Sequence, residues 1–131
     1  MNPKILIVDD DDIVVFIHSL IIKDSGLSDM PLIFKNGKTA YDFISKQNIT
    51  DERYLVFLDL NMPVMDGWQF LDLIEHSDFA ISVIIVSSSI NPADLKRAKG
   101  FSKVAQFVEK PLSIKICHKI KKDLNLEGHL G

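Results

Sequence analysis

Apolar residues along this chain fall into short continuous runs separated by longer stretches of helical spacing. The continuous runs are Ile5-Leu6-Ile7-Val8, Leu32-Ile33-Phe34, Tyr54-Leu55-Val56-Phe57-Leu58 and Val83-Ile84-Ile85-Val86, and Val104 to Glu109 is a mixed segment read as a fifth strand. Runs of this length bounded by Gly, Pro, Asn, Asp or Ser predict strands, and the fully apolar ones predict strands buried on both faces. From Ile13 to Lys23 the residues Ile13, Phe16, Ile17, Leu20 and Ile21 recur at helical spacing and are read as the buried stripe of a first helix. Asp11 or Asp12 suits its start and Gly26 its end. Val15 and Ile22 fall outside that stripe, so they are read as marginal packing or as a contact surface. After the Asn36-Gly37 turn, Ala40, Tyr41, Phe43 and Ile44 form the apolar side of a second helix reaching about Lys46. A third helix from Gly67 to about Glu75 buries Phe70, Leu71 and Ile74, a short fourth starts at Asn91-Pro92, and a fifth runs from about Ser113 to Leu124.

Strands alternating with helices predict a parallel sheet with right-handed crossovers, hence an α/β three-layer sandwich. The first, third and fourth strands are the most apolar and belong at the centre. The second is short and suits an edge, which favours the strand order 2-1-3-4-5. Asn48 to Arg53 reads as a polar connection and the residues from about 126 to 131 as a frayed tail. With no internal repeat or Pro/Gly/Ser linker, residues 1–131 are expected to form one domain.

Charge narrows the classes of partner. Fifteen Lys and Arg against eighteen Asp and Glu give a net charge of −3, which offers no general attraction to nucleic acid or anionic lipid. No apolar run approaches the roughly 20 residues of a membrane span, and Met1-Asn2-Pro3-Lys4 leads straight into a strand without a secretory signal. A cytoplasmic protein without membrane insertion is expected. The single cysteine, Cys117, lies among Ile114, Ile116 and Ile120 and is read as packing. His18, His76, His118 and His129 are scattered and read as surface residues. Lys115, Lys119, Lys121 and Lys122 read as the solvated face of the last helix, favoured by its negative C-terminal end.

The chemistry lies at the C-terminal ends of the strands, where an open parallel sheet gathers its ligands. The first strand ends in Asp9 and Asp10, the third in Asp59, the fourth in Ser87 and the fifth in Lys110. Carboxylates crowded together repel one another unless a cation sits among them. An oxygen-rich set without a His or Cys cluster suits Mg²⁺, with Mn²⁺ as a substitute, and does not suit zinc. Mg²⁺, a lysine ammonium and a hydroxyl are the groups that stabilise a phosphoryl group in transfer. One carboxylate is then the nucleophile. Asp59, at the middle of the sheet, is the choice. Asp10 would ligate the metal directly, Asp9 through a water, and Asn61 through its backbone carbonyl.

The blocks Ile7-Val8-Asp9-Asp10-Asp11, Leu58-Asp59-Leu60-Asn61-Met62-Pro63-Val64-Met65-Asp66-Gly67, Val86-Ser87-Ser88 and Glu109-Lys110-Pro111-Leu112 resemble, in order and spacing, the signature blocks of the receiver domain of two-component response regulators. The likeness covers nearly the whole chain. It implies a flavodoxin-like (βα)5 fold and a phosphoprotein in which Asp59 accepts a phosphoryl group, in a Mg²⁺-dependent reaction, from a phosphohistidine of a sensor histidine kinase or a phosphotransfer protein. Ser87 would bond a phosphoryl oxygen, Lys110 would make a charge-assisted contact with it, and the Lys110-Pro111 peptide would be cis. Ser87 and Phe107 would form the switch. Phe107 has no phenolic hydroxyl, so switching would rest on packing and on Ser87. Ser88 stands where Ala is common, and Asn61 and Ser89 hold positions that tune dephosphorylation. Such a domain catalyses only its own modification and is not an enzyme acting on outside substrates. The chain stops after the fifth helix, so output through a partner on the helix 4/strand 5/helix 5 face is expected, with no direct DNA binding.

Two other classes share parts of this pattern. A Mg²⁺-dependent phosphatase of the haloacid-dehalogenase type would carry a second Asp two residues after the nucleophile, where this chain has Asn61. A flavodoxin-like flavin binder would carry a Ser/Thr/Gly-rich phosphate loop after the first strand, where this chain has Asp9 to Asp12.

Overall fold

Strand and helix alternate without exception in the computed structural model, which describes residues 3–47, 52–88 and 90–126. The order is β1 (Lys4–Val8), α1 (Asp12–Ser25), β2 (Leu32–Phe34), α2 (Gly37–Ser45), β3 (Arg53–Leu58), α3 (Gly67–Glu75), β4 (Ala80–Ser87), α4 (Pro92–Ala98), β5 (Val104–Glu109) and α5 (Ile114–Asp123). All pairings are parallel and the sheet order is β2-β1-β3-β4-β5, the flavodoxin-like (βα)5 arrangement. Four expectations fall on residues outside those described: the roles of Ser89 and His129, most of the 48–53 connection, and the tail.

Alternation along each strand divides the core in two. Leu6 and Val8, Tyr54, Val56 and Leu58, and Ile81, Val83 and Ile85 face one side, where Ala40 and Ile44 of α2, Phe70, Leu71 and Ile74 of α3 and Ala98 of α4 cover them. Ile5 and Ile7, Leu55 and Phe57, and Ile84 and Val86 face the other, under Val15 and Ile22 of α1 and Cys117 and Ile120 of α5. This period of two is why the central strands read as unbroken apolar runs. Cys117 is buried, as its packing role requires.

Polar residues at the predicted boundaries cap the helices. The Asp11 side chain accepts from the N–H groups of Ile13 and Val14, and Gly26 closes α1 in the left-handed region at φ 81°. Asp66 and Gln69 form a reciprocal capping box on α3, and Ser113 accepts from Ile116 N–H at the start of α5. Strand β4 begins at Ala80, earlier than Val83, because residues 80–82 continue the ladder with Arg53 to Leu55.

The buried face of α1 is not the predicted one. Val15, His18, Ile22 and Ser25 are buried, whereas Ile13 is 72% exposed, Phe16 65%, Ile17 41% and Leu20 46%. Apolar residues surround this helix on nearly every side, so spacing alone does not set its phase. The partner does: α1 packs against α5 and the β1/β3 face, and it does so through the stripe that holds Val15 and Ile22. His18 is therefore a core residue, 3% exposed, while His76 and His118 are exposed. Lys121 also departs from a purely solvated role, since its ammonium donates to the Ser25 carbonyl at 3.1 Å and ties α5 to the end of α1.

Candidate functional site

The backbone ladder carries the acids to one level. Val8 is paired with Leu58 across β1 and β3, and the next residue on each strand is an aspartate. The ladder continues past the strand ends: Asp9 N–H donates to the Phe34 carbonyl at 3.0 Å and Asp59 N–H to the Val8 carbonyl at 2.9 Å. On the other side, Lys110 N–H donates to the Ser87 carbonyl at 2.7 Å, which fixes the root of the lysine beside β4. Asp9, Asp59 and Ser87 are all buried, whereas Asp10 and Asn61 are exposed at the rim.

The side chains converge accordingly. Carboxylate oxygens of Asp9, Asp10 and Asp59 all lie within 4.8 Å of one another. Three hard oxygen donors at that separation fit the coordination sphere of Mg²⁺, which takes a few carboxylates and retains waters. Asp9 also accepts from Asp11 N–H at 3.0 Å, so its orientation is set by its own loop. The Lys110 ammonium is 2.9 Å from Asp9 and 3.5 Å from Asp59, and it inserts only one positive charge among the acids.

Electrostatics follow from this imbalance. Burial raises the Asp59 carboxyl above its ordinary pKa and the neighbouring Asp9 adds to the effect, while Lys110 and the Asn61 N–H oppose it. Burial by itself would lower the Lys110 ammonium, but its hydrogen bond to Asp9 and the charges of Asp59 and Asp9 outweigh that and raise it. Lys110 therefore stays charged.

The loop from Leu60 to Gly67 fixes the far side of Asp59. Gly67 N–H donates to the Leu60 carbonyl at 3.0 Å, and a β-carbon added at Gly67 would stand 2.6 Å from the Asp59 carbonyl oxygen. Only glycine lets α3 start so close beneath the backbone of Asp59. Val64, at the exposed tip of the same loop, has a left-handed φ of 67°.

The switch candidates lie farther along β4 and β5. A register shift between Val83 and Ile84 skips Ala105, so that Phe107 pairs with Ile85 and Ser87 with Glu109. Phe107 is half-buried and packs into the cluster beneath α4, whereas Ser88 is exposed. The Lys110-Pro111 peptide is cis.

Two contacts do not follow from the buried stripe expected for α1 or from any local motif. His18 on α1 accepts a hydrogen bond at Nε2 from Leu112 N–H at 3.3 Å, directly after the Lys110-Pro111 pair. Burial holds its imidazole below the ordinary pKa, with Asp9 opposing and Lys110 adding to the shift. The signal was present in the Val15, His18, Ile22 spacing, had that stripe been taken as the buried one. Arg97 of α4 lies over the Trp68 ring of α3 at 4.3 Å, and Trp68 is 6.2 Å from Phe101. That pairing joins distant residues and has no local signature.

Comparison with known proteins agrees with this geometry. The sequence profile of the family described as "Response regulator receiver domain" matches residues 5–121. Sporulation initiation phosphotransferase F of Bacillus subtilis is 30% identical over 130 residues, covering 98% of this chain and 99% of that protein. Regulatory protein VanRc of Enterococcus gallinarum is 28% identical over 126 residues, and there the chain spans 51% of the relative's length. Among solved structures, a two-component response regulator from Cytophaga hutchinsonii superposes with a TM-score of 0.82 at 27% identity, over 94% of this chain and 97% of that one. The acids at the ends of β1 and β3, the lysine after β5 and the matching profile thus lead to one conclusion: the chain belongs to the response regulator receiver domain family of two-component systems.

Proposed function

We propose that Asp59 is the phosphoacceptor of this receiver and that its phosphorylation switches a partner-binding surface. The observation that carries the reading is the buried Asp59 carboxylate grouped with Asp9 and Asp10 and faced by the Lys110 ammonium. An Asp59 oxygen attacks phosphorus of a donor phosphohistidine. The new P–O bond forms as the P–N bond breaks, and the donor imidazole nitrogen leaves with that bond's electron pair. Asp10, Asp59 and the Asn61 backbone carbonyl would hold Mg²⁺ or Mn²⁺, with Asp9 acting through a water. The metal, when bound, supplies positive charge that offsets the repulsion of the acids and of the incoming phosphoryl oxygens.

Lys110 contributes a fixed positive charge beside the transferred group, and Ser87 a hydroxyl donor from β4. Water attack at phosphorus later releases phosphate and restores the Asp59 carboxylate. The name of the Bacillus subtilis relative, a phosphotransferase, supports phosphoryl transfer here. A sensor histidine kinase or a phosphotransfer protein is proposed as the donor to this chain.

Output is proposed through protein contact on the face formed by α4, β5 and α5, without direct DNA binding. Phe107 is half-buried beneath α4, so a change at Ser87 and Phe107 would be felt there as repacking. A phosphatase of the haloacid-dehalogenase type is not favoured, because the residue two after Asp59 is Asn61. Among the described residues no helix is long and apolar enough to cross a membrane. The test is exposure to phosphoramidate or acetyl phosphate with Mg²⁺, followed by intact mass. One phosphoryl group is expected, lost with EDTA and in Asp59→Ala; labelling of Asp59→Ala at the wild-type level would remove Asp59 from the role.

A further inference from the structure

We infer that His18 is a positioning residue for phosphoryl transfer, holding the backbone after Lys110 so that the lysine's ammonium stays aimed between Asp9 and Asp59. The inference rests on the reading of Asp59 as the phosphoacceptor. Leu112 lies between the end of β5 at Glu109 and the start of α5 at Ile114, so neither a strand nor a helix takes its N–H. The residue is 3% exposed, and a buried N–H without an acceptor is costly. His18 Nε2, supplied from α1 across 94 residues of sequence, is that acceptor at 3.3 Å.

Pro111 has no N–H to donate, so the short turn after β5 is held by its two neighbours. Lys110 N–H is bonded to the Ser87 carbonyl at 2.7 Å on the β4 side, and Leu112 N–H is bonded to His18 on the α1 side. The lysine's root is thereby pinned from both directions. Its ammonium sits 2.9 Å from Asp9 and 3.5 Å from Asp59, so how it is shared between the two acids depends on where the root is held. Only a neutral imidazole with its proton on Nδ1 can accept at Nε2. His18 is 3% exposed and Leu112 belongs to the same packed cluster as Val15 and Ile22, which leaves little room for the turn to relax if the acceptor is lost.

Two variants of equal length separate the acceptor from the packing: His18→Gln keeps an oxygen acceptor, and His18→Met fills similar space without a comparable one. Each is labelled with phosphoramidate over a range of phosphoramidate and Mg²⁺ concentrations, and the Leu112 amide is followed by ¹⁵N–¹H NMR. For His18→Met the limiting rate should fall about tenfold while half-saturating phosphoramidate and Mg²⁺ concentrations stay unchanged, the pattern of a misaimed group. His18→Gln should label within about twofold of wild type and keep the Leu112 amide shift. Wild-type labelling by His18→Met overturns the inference, as does equal slowing of both variants, which assigns His18 to packing alone. Should His18→Met fail to fold, His18→Gln decides: near-wild-type labelling with a retained Leu112 shift supports the role, and slow labelling overturns it. A wild-type protein that takes no label brings down the phosphoacceptor reading itself, and this inference with it.

Discussion

The Lys110 ammonium lies 2.9 Å from an Asp9 carboxylate oxygen, closer than it lies to Asp59 at 3.5 Å. Asp9 thus takes the shorter ion pair, and Asp59 keeps the less compensated charge. Removing the cation would leave buried acids facing one another. Lys110→Ala should therefore cost about 3–5 kcal/mol in metal-free urea melts, the range for breaking a buried pair, and regain part of it on adding Mg²⁺. Mg²⁺ binding should survive while labelling from phosphoramidate is lost. Unchanged labelling and an unchanged melt would remove Lys110 from the site.

Asp59 carries its charge at a cost to folding, since burial and Asp9 both disfavour its ionised form. Asp59→Asn removes that cost with little change of shape. Metal-free Asp59→Asn should be more stable than wild type, because the buried charge is gone, and it should gain less from Mg²⁺ in thermal melts. A less stable Asp59→Asn protein in EDTA would contradict this electrostatic account.

The orientation of α1 can be tested by paired substitutions. Phe16, 65% exposed, should tolerate Phe16→Ser within about 0.5 kcal/mol, as surface sites do. Ile22, fully buried beneath α5, should lose about 2–4 kcal/mol on Ile22→Ala. The reverse order would restore the stripe first read from spacing.

In the loop after Asp59, Val64 is a β-branched residue at φ 67° with its side chain in solvent. Val64→Asn or Val64→Gly should stabilise by about 1 kcal/mol, since the left-handed region penalises a branched side chain. Gly67→Ala should do the opposite and also slow labelling, because its β-carbon would press on the Asp59 carbonyl at 2.6 Å. Urea denaturation and intact mass read the two effects separately.

His18 predicts a pH dependence of stability. Its folded pKa lies below the ordinary 6.5, so the unfolded chain binds the proton more readily. The contribution is full above 6.5 and is lost as pH falls through that value toward the lower folded pKa. Asp59 works in the opposite sense, so the test is the difference between wild type and His18→Gln. That difference should shrink in the wild type's disfavour between about pH 6.5 and 5, above the ordinary carboxylate range. A difference independent of pH would mean that the buried imidazole does not resist protonation.

Much of this architecture was legible because central strands buried on both faces must be continuously apolar, and because Asp9, Asp59, Ser87 and Lys110 end such runs. Helix starts were legible from Asp11, Asp66, Asn91 and Ser113 for the same local reason: a capping side chain acts within three residues. The misread elements depend on distant partners. Ile13, Phe16, Ile17 and Leu20 make a good stripe in isolation, but the α5 surface selects Val15 and Ile22 instead. His18 gains its role only from Leu112, and Arg97 only from Trp68.

The pairing of Val8 with Leu58 has a practical corollary for engineering. The spacing of Asp9 and Asp59 belongs to the sheet, and a slip of one residue would move Asp59 by about 3.3 Å and turn it to the other face. Added segments are therefore best introduced at the opposite rim, where exposed Asp78 leads from α3 into β4. A sensor peptide or fluorescent domain inserted there would lengthen the protein while leaving the acid spacing to the ladder that sets it.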